Sequence, residues 1–547
     1  MCDTHTHTHP SHHPHRSGRR LEEGDAHSAD HARWTRRRFL GALSLAGLGG
    51  TLLGGSHATT LMASNSVRPI HIPNGDRILV LIQLEGGNDG LNTVVPFRND
   101  IYQRNRPTLA FSRNQTLELS SDLGFHPSLG PLHRRFQDGQ VAVVQNVGYD
   151  ESNRSHFRST DIWVSASDAN QSLSTGWAGR ALEATYPNFG QNPPPEPPGV
   201  RIGGSRSMFI GDGNRMGVSF DNADVLDRLA EGGALYDQTN VPSATYGQEV
   251  AFVRGVANRS FRYAGALQQA ASGGQNRVAY PEDTELGNQL ASVARLIRGG
   301  LQTRVYMVSL GGFDTHVNQA DDHAYLMDTL AQSIDAFMRD LEADGLDQRV
   351  LLMTFSEFGR TLAENGGLGT DHAAAAPLFL IGRGVQGGIV GGLPDLANLD
   401  PFGDLRHTFD YRQVYASILN GWFGLSAADT QTVLGRSYTT IPVLPGLTTG
   451  TSTAPSDTPR SPTGLQAPYP NPARSRTTVP FTLASPSRVR LGVFDVTGRP
   501  VRSIFEGMRG TGTHTVPLDL SGLAAGLYLV RLQTPQRQYA TRLVVVR

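Results

Sequence analysis

Cysteine is almost missing from this sequence: among 547 residues the only one is Cys2. Cys2 lies in an amino-terminal segment that we expect to be removed, so the mature protein is expected to have no disulfide and no thiolate metal ligand. Any metal must then be held by histidine and carboxylate side chains. The formal net charge of −1 excludes the basic field of a nucleic-acid-binding protein. Beyond residue 63, no stretch approaches the roughly 20 apolar residues of a membrane span.

Three polar clusters carry most of the chemical information. Each follows a strand-like apolar run or a glycine turn, at residues 311–316, 356–361 and 369–372. Side chains at the carboxyl ends of parallel strands converge on the sheet edge where ligands bind. The candidate metal ligands are Asp314, His316, Glu357, Asp371 and His372. This ligand set predicts one or two divalent ions, zinc, magnesium, manganese or calcium; the alternative is a chance cluster of solvated loop charges.

Two further motifs each allow two interpretations. Residues 85–90 follow the first predicted strand, and their glycines let the backbone approach a ligand, with Asp89 or Glu85 as a metal ligand. A tight turn in which Asp89 bonds its own backbone is equally consistent with the pattern. Ser155 is a candidate nucleophile and His156 a ligand or acid/base. Alternatively Ser155 caps a helix, a role compatible with attack because a helix N-terminus also stabilises an anionic ester.

Arg360 is the third candidate catalytic residue, with Ser155 and His156. It lies three residues after Glu357. The spacing allows it to bind a phosphate-like oxygen with two nitrogens or to form an ion pair with Glu357.

The pattern between residues 71 and 445 predicts an α/β domain. Strand-like runs occur at residues 77–84, 141–147, 305–310, 349–355 and 377–381. Helical patterns lie between them; in residues 321–341, for example, apolar residues recur at spacings of three and four. This alternation predicts a mostly parallel sheet with helices on both faces. Residues 188–280 are rich in proline, glycine and asparagine, which we interpret as an insertion or a cap over the sheet edge.

Residues 1–63 are interpreted as a targeting segment. A His-rich tract from His5 to His15 comes first; metal chelation is one interpretation, and a disordered presequence is the expected one. Then Arg36 and Arg37 precede Phe39-Leu40 and a short apolar run rich in glycine, alanine and leucine. This arrangement resembles the twin-arginine export signal, which implies a twin-arginine translocase as partner and passage of a folded protein into the periplasm.

The carboxyl-terminal region predicts a linker and a second domain. Residues 446–465 are rich in threonine, serine, proline and glycine, as in a linker. Short strand-like runs then repeat through residues 466–547, the pattern of a β-sandwich. The motifs at residues 469–472, 493–499 and 526–530 resemble the type A sorting domain of the type IX secretion system. The resemblance implies that system as partner and a location on the cell surface or outside the cell.

The main domain resembles the bacterial family called domain of unknown function 1501. The motifs that carry the resemblance are at residues 86–93, 155–157, 161–163, 311–316, 356–360 and 369–372. That family is similar to a remote branch of the alkaline phosphatase and sulfatase superfamily, which implies an alkaline-phosphatase-like fold and metal-dependent ester hydrolysis. Active phosphatases of that superfamily carry an Asp-His pair where this chain has Ser356-Glu357-Phe358, so one metal position is in question. The sulfatase nucleophile signature is missing.

Together these observations predict an exported, metal-dependent hydrolase of phosphate or related esters. The alternative is a non-catalytic surface protein that keeps the fold and binds a polymer or a partner. The altered residues 356–358 favour the alternative, and the density of polar residues at strand ends favours the enzyme.

Overall fold

The structure is a computed structural model. It describes residues 75–186, 188–190, 192–204, 208–220, 245–447, 464–466, 468–469, 471–483, 486–495, 499–510, 512–534 and 538–546. The predicted leader and most of the predicted linker lie outside these residues. The chain divides into two compact units, residues 1–63 with 223–265, and the remainder. The described part of the first unit, residues 245–265, is helical; the sheets and the candidate site belong to the second unit.

The described residues of the main domain form a nine-stranded central sheet and a small sheet of three short strands. The strands are β1 (Ile78–Leu84), β2 (Val94–Val95), β3 (Leu117–Glu118), β4 (Gly124–Phe125), β5 (Val141–Gly148), β6 (Gly199–Ile202), β7 (Gly217–Phe220), β8 (Val305–Leu310), β9 (Val350–Ser356), β10 (Ala376–Ile381), β11 (Gly388–Val390) and β12 (Phe409–Asp410). The central order is β11-β5-β10-β9-β1-β8-β6-β7, with β12 beside β5. Only β10 is antiparallel to its neighbours within the described sheet. The predicted α/β class with a mostly parallel sheet is confirmed.

Helices alternate with these strands along the chain. They are α1 (Gly90–Thr93), α2 (Asp100–Asn105), α3 (Gly130–Gln137), α4 (His156–Ser165), α5 (Trp177–Thr185), α6 (Thr245–Gly273), α7 (Glu285–Arg298), α8 (Gln319–Glu342), α9 (Tyr411–Ser417) and α10 (Ala427–Leu434). Short 3-10 segments occupy Arg113–Gln115, Pro127–Leu129 and Leu346–Arg349, and a π-helical turn follows α9 at Ile418–Trp422. The apolar face predicted for residues 321–341 is buried in α8, where Leu330, Ile334 and Phe337 are fully inaccessible.

The interpretation of residues 188–280 as an insertion or cap is wrong in part. This segment contains β6 and β7, and β6 pairs in parallel with β8 in the central sheet. Each strand has only four residues and begins with glycine. A run this short shows too little periodicity to stand out among the surrounding glycines and prolines. The segment also contains the whole of α6.

The carboxyl-terminal region is an all-β domain, as predicted. Its strands are β13 (Gly464–Leu465), β14 (Arg476–Leu483), β15 (Ser487–Phe494), β16 (Pro500–Arg509), β17 (Gly512–Asp519), β18 (Gly526–Gln533) and β19 (Gln538–Val545). They form two antiparallel sheets, β13-β14-β17 and β16-β15-β18-β19. Phe481 from one sheet and Leu491 and Val530 from the other belong to the same buried core, which is the packing of a β-sandwich.

Helices capable of crossing a bilayer are not found in the part of the chain that the structure describes.

Candidate active site

The carboxyl ends of three adjacent parallel strands bring the candidate residues together. Leu84 of β1 is level with Leu310 of β8 and with Ser356 of β9. The chain leaving each strand therefore enters the same edge of the sheet. Gly86 contacts both neighbouring loops: its N–H donates to Glu357 Oε1 at 2.8 Å. With φ at +123°, a Cβ on Gly86 would lie 2.3 Å from the Asp314 amide nitrogen, so only glycine fits.

His156 is held at this edge by Glu357. Its Nδ1 lies 2.8 Å from Glu357 Oε1, and the Glu357 side chain is buried. The Glu357 carbonyl accepts hydrogen bonds from Ser159 and Trp163 of α4, which fixes the helix that begins at His156. His156 Nε2 lies 3.5 Å from Asp314 Oδ2 and is buried without a hydrogen-bond partner among the described residues.

His316 and His372 approach the other oxygen of Asp314. Their Nε2 atoms lie 3.1 and 2.9 Å from Asp314 Oδ1 and 3.0 Å from each other. His316 Nδ1 faces Asp371 Oδ1 at 2.9 Å. His372 Nδ1 faces the carbonyl oxygen of Arg154 at 2.9 Å. Each ring is therefore fixed from behind, and its second nitrogen points at Asp314.

The partners of these rings define where the hydrogens lie. Carboxylates and carbonyls only accept hydrogen bonds, so Nδ1 carries the hydrogen in all three histidines. In a neutral ring Nε2 then presents a lone pair, and three lone pairs converge on the Asp314 carboxylate. Such a contact requires a cation, either a second proton on the rings or a metal ion. Histidine Nδ1 bound to a carboxylate or carbonyl is the usual arrangement behind a metal-ligating Nε2.

The distances suit a divalent ion. Two ligands at right angles, each about 2.1 Å from a metal, are about 3.0 Å apart. The edges joining His316 Nε2, His372 Nε2 and Asp314 Oδ1 measure 2.9 to 3.1 Å. One donor atom each from His156, Asp314 and His372 also lies within 4.8 Å of the others. The donor set therefore fits a cation held by imidazole and carboxylate.

Electrostatics keep Asp314 ionised. Burial opposes its charge, but hydrogen bonding to His372 and Arg360 outweighs burial and lowers the pKa of the Asp314 carboxyl to about 2. Hydrogen bonding to Asn365 and His316 likewise lowers the pKa of Asp371. The hydrogen bond to Glu357 raises the pKa of His156 against the effect of burial.

Arg360 is buried behind Asp314 and holds the loops of the site through hydrogen bonds. Its guanidinium is fully buried and donates to main-chain oxygens and one carboxylate. The acceptors are the carbonyls of Gly86, Gly87, Phe313 and Thr370, and Asp314 Oδ1 at 2.6 Å. Arg360 therefore pairs with Asp314 instead of Glu357, and because its guanidinium is buried and bonded to protein oxygens, it does not face a phosphate-like group either.

Asp89 is not brought into this cluster. Its carboxylate is buried, caps α1 through the amides of Leu91 and Asn92, and pairs with Arg106 at 2.6 Å. Burial opposes its ionisation, but Arg106 outweighs burial and lowers the pKa of Asp89. These contacts are those of the turn interpretation, strengthened by a buried ion pair.

Ser155 immediately precedes α4 in the N-cap position, but its side chain makes no capping bond to the described helix. The residue is exposed, and its amide donates to Asn153 Oδ1. Its hydroxyl is therefore not committed to capping. Its role as nucleophile stays a prediction.

Sequence reasoning missed a buried residue that links the ligand-bearing loops. Gln319, at the start of α8, accepts hydrogen bonds from Thr315 Oγ1 at 3.1 Å and Thr370 Oγ1 at 2.5 Å. Its amide nitrogen donates to Asp89. Thr315 separates Asp314 from His316, and Thr370 precedes Asp371. In the sequence, only the threonine beside each motif pointed to this link, because a glutamine in the first turn of a helix does not by itself indicate a function.

A cavity of about 440 Å³ opens beside the cluster and shares His156, Asp314 and Glu357 with it. Its other walls come from Gln83, Glu85, Thr160, Arg201 and several glycines. This volume lies within the range of small-molecule sites.

Comparison with known proteins assigns the main domain. Residues 76–434, well over half of the chain, match the proteins of unknown function designated DUF1501. The chain belongs to this family. Residues 467–546 match the secretion system C-terminal sorting domain, which implies type IX secretion and export to the cell surface or outside. The resemblances predicted from the sequence are thus confirmed for both domains. A search of curated proteins finds no significant relative.

Solved structures similar to this DUF1501 protein include alkaline phosphatase from the Antarctic bacterium TAB5, with 11% identity over 57% of this chain and 92% of that chain, at a TM-score of 0.25. The PsFucS1 sulfatase from Pseudoalteromonas sp. matches with 9% identity over 74% and 72%, at 0.27. PorZ, a surface component of the Porphyromonas gingivalis type-IX secretion system, matches with 22% identity, at 0.12. That match covers 15% of this chain and 12% of PorZ. TM-scores of this size assign no activity to the chain.

Proposed function

We propose that this DUF1501 protein is an exported, metal-dependent hydrolase of phosphate or related esters. The observation that carries the proposal is the convergence of three imidazole Nε2 atoms on the ionised Asp314 carboxylate. His156, His316, His372 and Asp314 would hold one or two divalent ions. Glu357 and Asp371 would act behind the histidines as orienting groups.

A divalent ion bound there would supply Lewis-acid polarisation of an ester oxygen and would lower the pKa of an attacking hydroxyl. The residues of the chain provide the rest. Glu357 and Asp371 fix the rings of His156 and His316, Arg360 fixes Asp314, and Ser155 is the candidate nucleophile at the start of α4. The N-terminal amides of that helix favour an anionic group beside it.

The route of export belongs to the same proposal. Arg36 and Arg37 would direct the folded precursor through the twin-arginine translocase into the periplasm. The carboxyl-terminal domain would then engage the type IX machinery. Replacing both arginines with lysine should leave precursor in the cytoplasm, as measured by fractionation; unchanged export would refute this route.

The metal proposal is tested on the purified mature protein loaded separately with zinc, manganese, magnesium and calcium. Bound metal is measured by mass spectrometry and affinity by calorimetry. His372→Ala should abolish tight binding, and Glu357→Gln should weaken it about tenfold. His133→Ala, on α3, serves as the matched control and should bind as wild type. A protein that holds none of the four ions would refute the proposal.

Turnover is tested separately on phosphate monoesters, phosphate diesters and sulfate esters. Ser155→Ala should retain the metal and lose turnover, because it removes only the attacking oxygen. The Arg360 guanidinium is buried and bonded to protein oxygens, which favours one alternative, a non-catalytic surface protein that keeps the fold and binds a polymer or a partner. Bound metal without turnover on any of these esters would support that alternative.

A further inference from the structure

The cavity beside the candidate metal cluster has walls that are partly polar and partly apolar. Backbone of Gly86, Gly204, Gly311 and Gly312 forms much of its lining, and no side chain fills the space at Gly311, where an added Cβ would meet nothing within 4 Å. Main-chain amides and carbonyls are therefore brought close to any occupant. An occupant with hydrogen-bonding groups suits such walls better than a purely apolar one.

Gln83 gives the cavity an unmet hydrogen-bonding requirement. It is the penultimate residue of β1, only 3% of it is exposed, and it lines the cavity. Its Oε1 is buried and, within the described chain, has no hydrogen-bond partner. A buried polar atom without a partner costs free energy, so it requires an explanation. A ligand hydroxyl provides one, because a hydroxyl both donates and accepts and can pair with either end of an amide.

Opposite charges stand on the same wall. Arg201 Nη2 lies 3.5 Å from Glu85 Oε1; the Arg201 side chain is 3% exposed and that of Glu85 is 42% exposed. An apolar group placed over this pair would remove water from Glu85 without replacing its hydrogen bonds. A group carrying several hydroxyls would replace them.

An aromatic ring stands at the mouth of the cavity. Phe157, the residue after His156, is 73% exposed and lines the cavity. A single exposed apolar side chain is common on a protein surface, but this one borders the cavity and can contact its occupant. The flat face of a phenyl ring packs against the C–H face of a saturated ring, while the hydroxyls at the edge of that ring reach polar walls.

We infer that this cavity binds the alcohol portion of the substrate and that this portion is a polyhydroxylated, sugar-like ring. Gln83 would recognise a ring hydroxyl, and Phe157 would pack on the face of the ring. The inference rests on the proposed function, because the ester group must then lie at Asp314 and His156, which border the same cavity.

The test uses four sugar or cyclitol phosphates, namely glucose 1-phosphate, galactose 1-phosphate, mannose 1-phosphate and inositol 1-phosphate, with phenyl phosphate as the apolar comparator. Binding is measured by saturation-transfer NMR and calorimetry on metal-free and metal-loaded protein, so turnover is not needed. At least one of the four should bind about tenfold more tightly than phenyl phosphate. Gln83→Leu and Phe157→Ala should each reduce that preference about tenfold.

Phe402→Ala is the matched control, because Phe402 is another exposed phenylalanine, 78% accessible, on a different cavity. It should leave the preference unchanged. If Gln83→Leu does not fold, Phe157→Ala alone decides, since its exposed side chain contributes little to the core. Phenyl phosphate binding as tightly as all four polyols would overturn the inference, as would a preference insensitive to both variants.

The results also separate this inference from the proposed function. Tight inorganic phosphate binding to the metal-loaded protein without any polyol preference would refute only the sugar-like substrate. Polyol binding that depends on Gln83 and Phe157, without metal binding or hydrolysis, would support the cavity assignment and refute the hydrolase.

Discussion

Acidification should destabilise this protein through His323, a buried histidine of α8. His323 is 1% exposed; its Nε2 bonds Asn88 Oδ1 at 3.0 Å, and its Nδ1 has no partner among the described residues. Burial lowers the pKa of His323 to about 4; Asp89 opposes this, while Arg106 and Arg360 add to it. An unfolded histidine titrates near 6.5.

The direction and the magnitude of this loss of stability follow from the linkage between proton binding and folding. Between pH 6.5 and 4 the unfolded chain binds a proton at this histidine that the folded protein excludes, so stability is full above pH 6.5 and lost as the pH falls. A difference of about 2.5 pKa units corresponds to about 2 kcal/mol lost at pH 5 and about 3.4 kcal/mol below pH 4. The adjacent His126, whose pKa burial lowers to about 3, should add to the acid sensitivity of the wild type.

The assay is urea unfolding at pH 7.5 and pH 5 for wild type and His323→Leu. The variant also loses the hydrogen bond to Asn88 Oδ1, but this loss is the same at both pH values and cancels from the comparison. The stability lost between the two pH values should be about 2 kcal/mol smaller in the variant than in the wild type. Equal losses in the two proteins, within about 0.5 kcal/mol, would show that His323 is not the buried neutral group described here.

Three other predictions concern ion pairs, metal affinity and sorting. Asp89→Asn leaves Arg106 buried without its charge partner and should lower the free energy of unfolding by about 3 to 5 kcal/mol, measured by denaturant titration; a loss below about 1 kcal/mol would contradict this. Thr370→Val removes a hydroxyl from Gln319 and should weaken divalent metal binding about tenfold by calorimetry, whereas Thr370→Ser should not. Deleting residues 467–546 should prevent surface localisation in cell fractionation; display without them would contradict the role of the sorting domain.

Strands with strong apolar continuity were predictable, and short ones were not. β8 coincides with the predicted run at residues 305–310, and β9 differs by one residue at each end. Both are central and fully buried, so their residues are almost all apolar. The four-residue strands β6 and β7 obtain their positions from pairing with β8 and with each other, which a local pattern cannot reveal.

The location of the candidate site was predictable, but the division of roles within it was not. Asp314 and Glu357 both follow apolar strands, so the sequence pattern supports both equally as metal ligands. The structure turns Asp314 toward three imidazole nitrogens and engages Glu357 Oε1 with His156 Nδ1 and the Gly86 amide. Whether a carboxylate faces an ion or the back of a histidine depends on neighbours hundreds of residues away. Asp314 as a metal ligand stays a prediction, and the proposal gives Glu357 the orienting role instead.

The contacts of Arg360 determine when the site can form during synthesis of the chain. Its guanidinium holds carbonyls of Gly86 and Gly87, more than 270 positions earlier, together with Phe313 and the later Thr370. A growing chain on the ribosome cannot complete this arrangement until Thr370 has been made, and His372 follows two residues later. The proposed cation site therefore cannot form until the chain has been synthesised past His372. The compartment in which that happens, and the free ions it contains, would then determine which metal the protein receives.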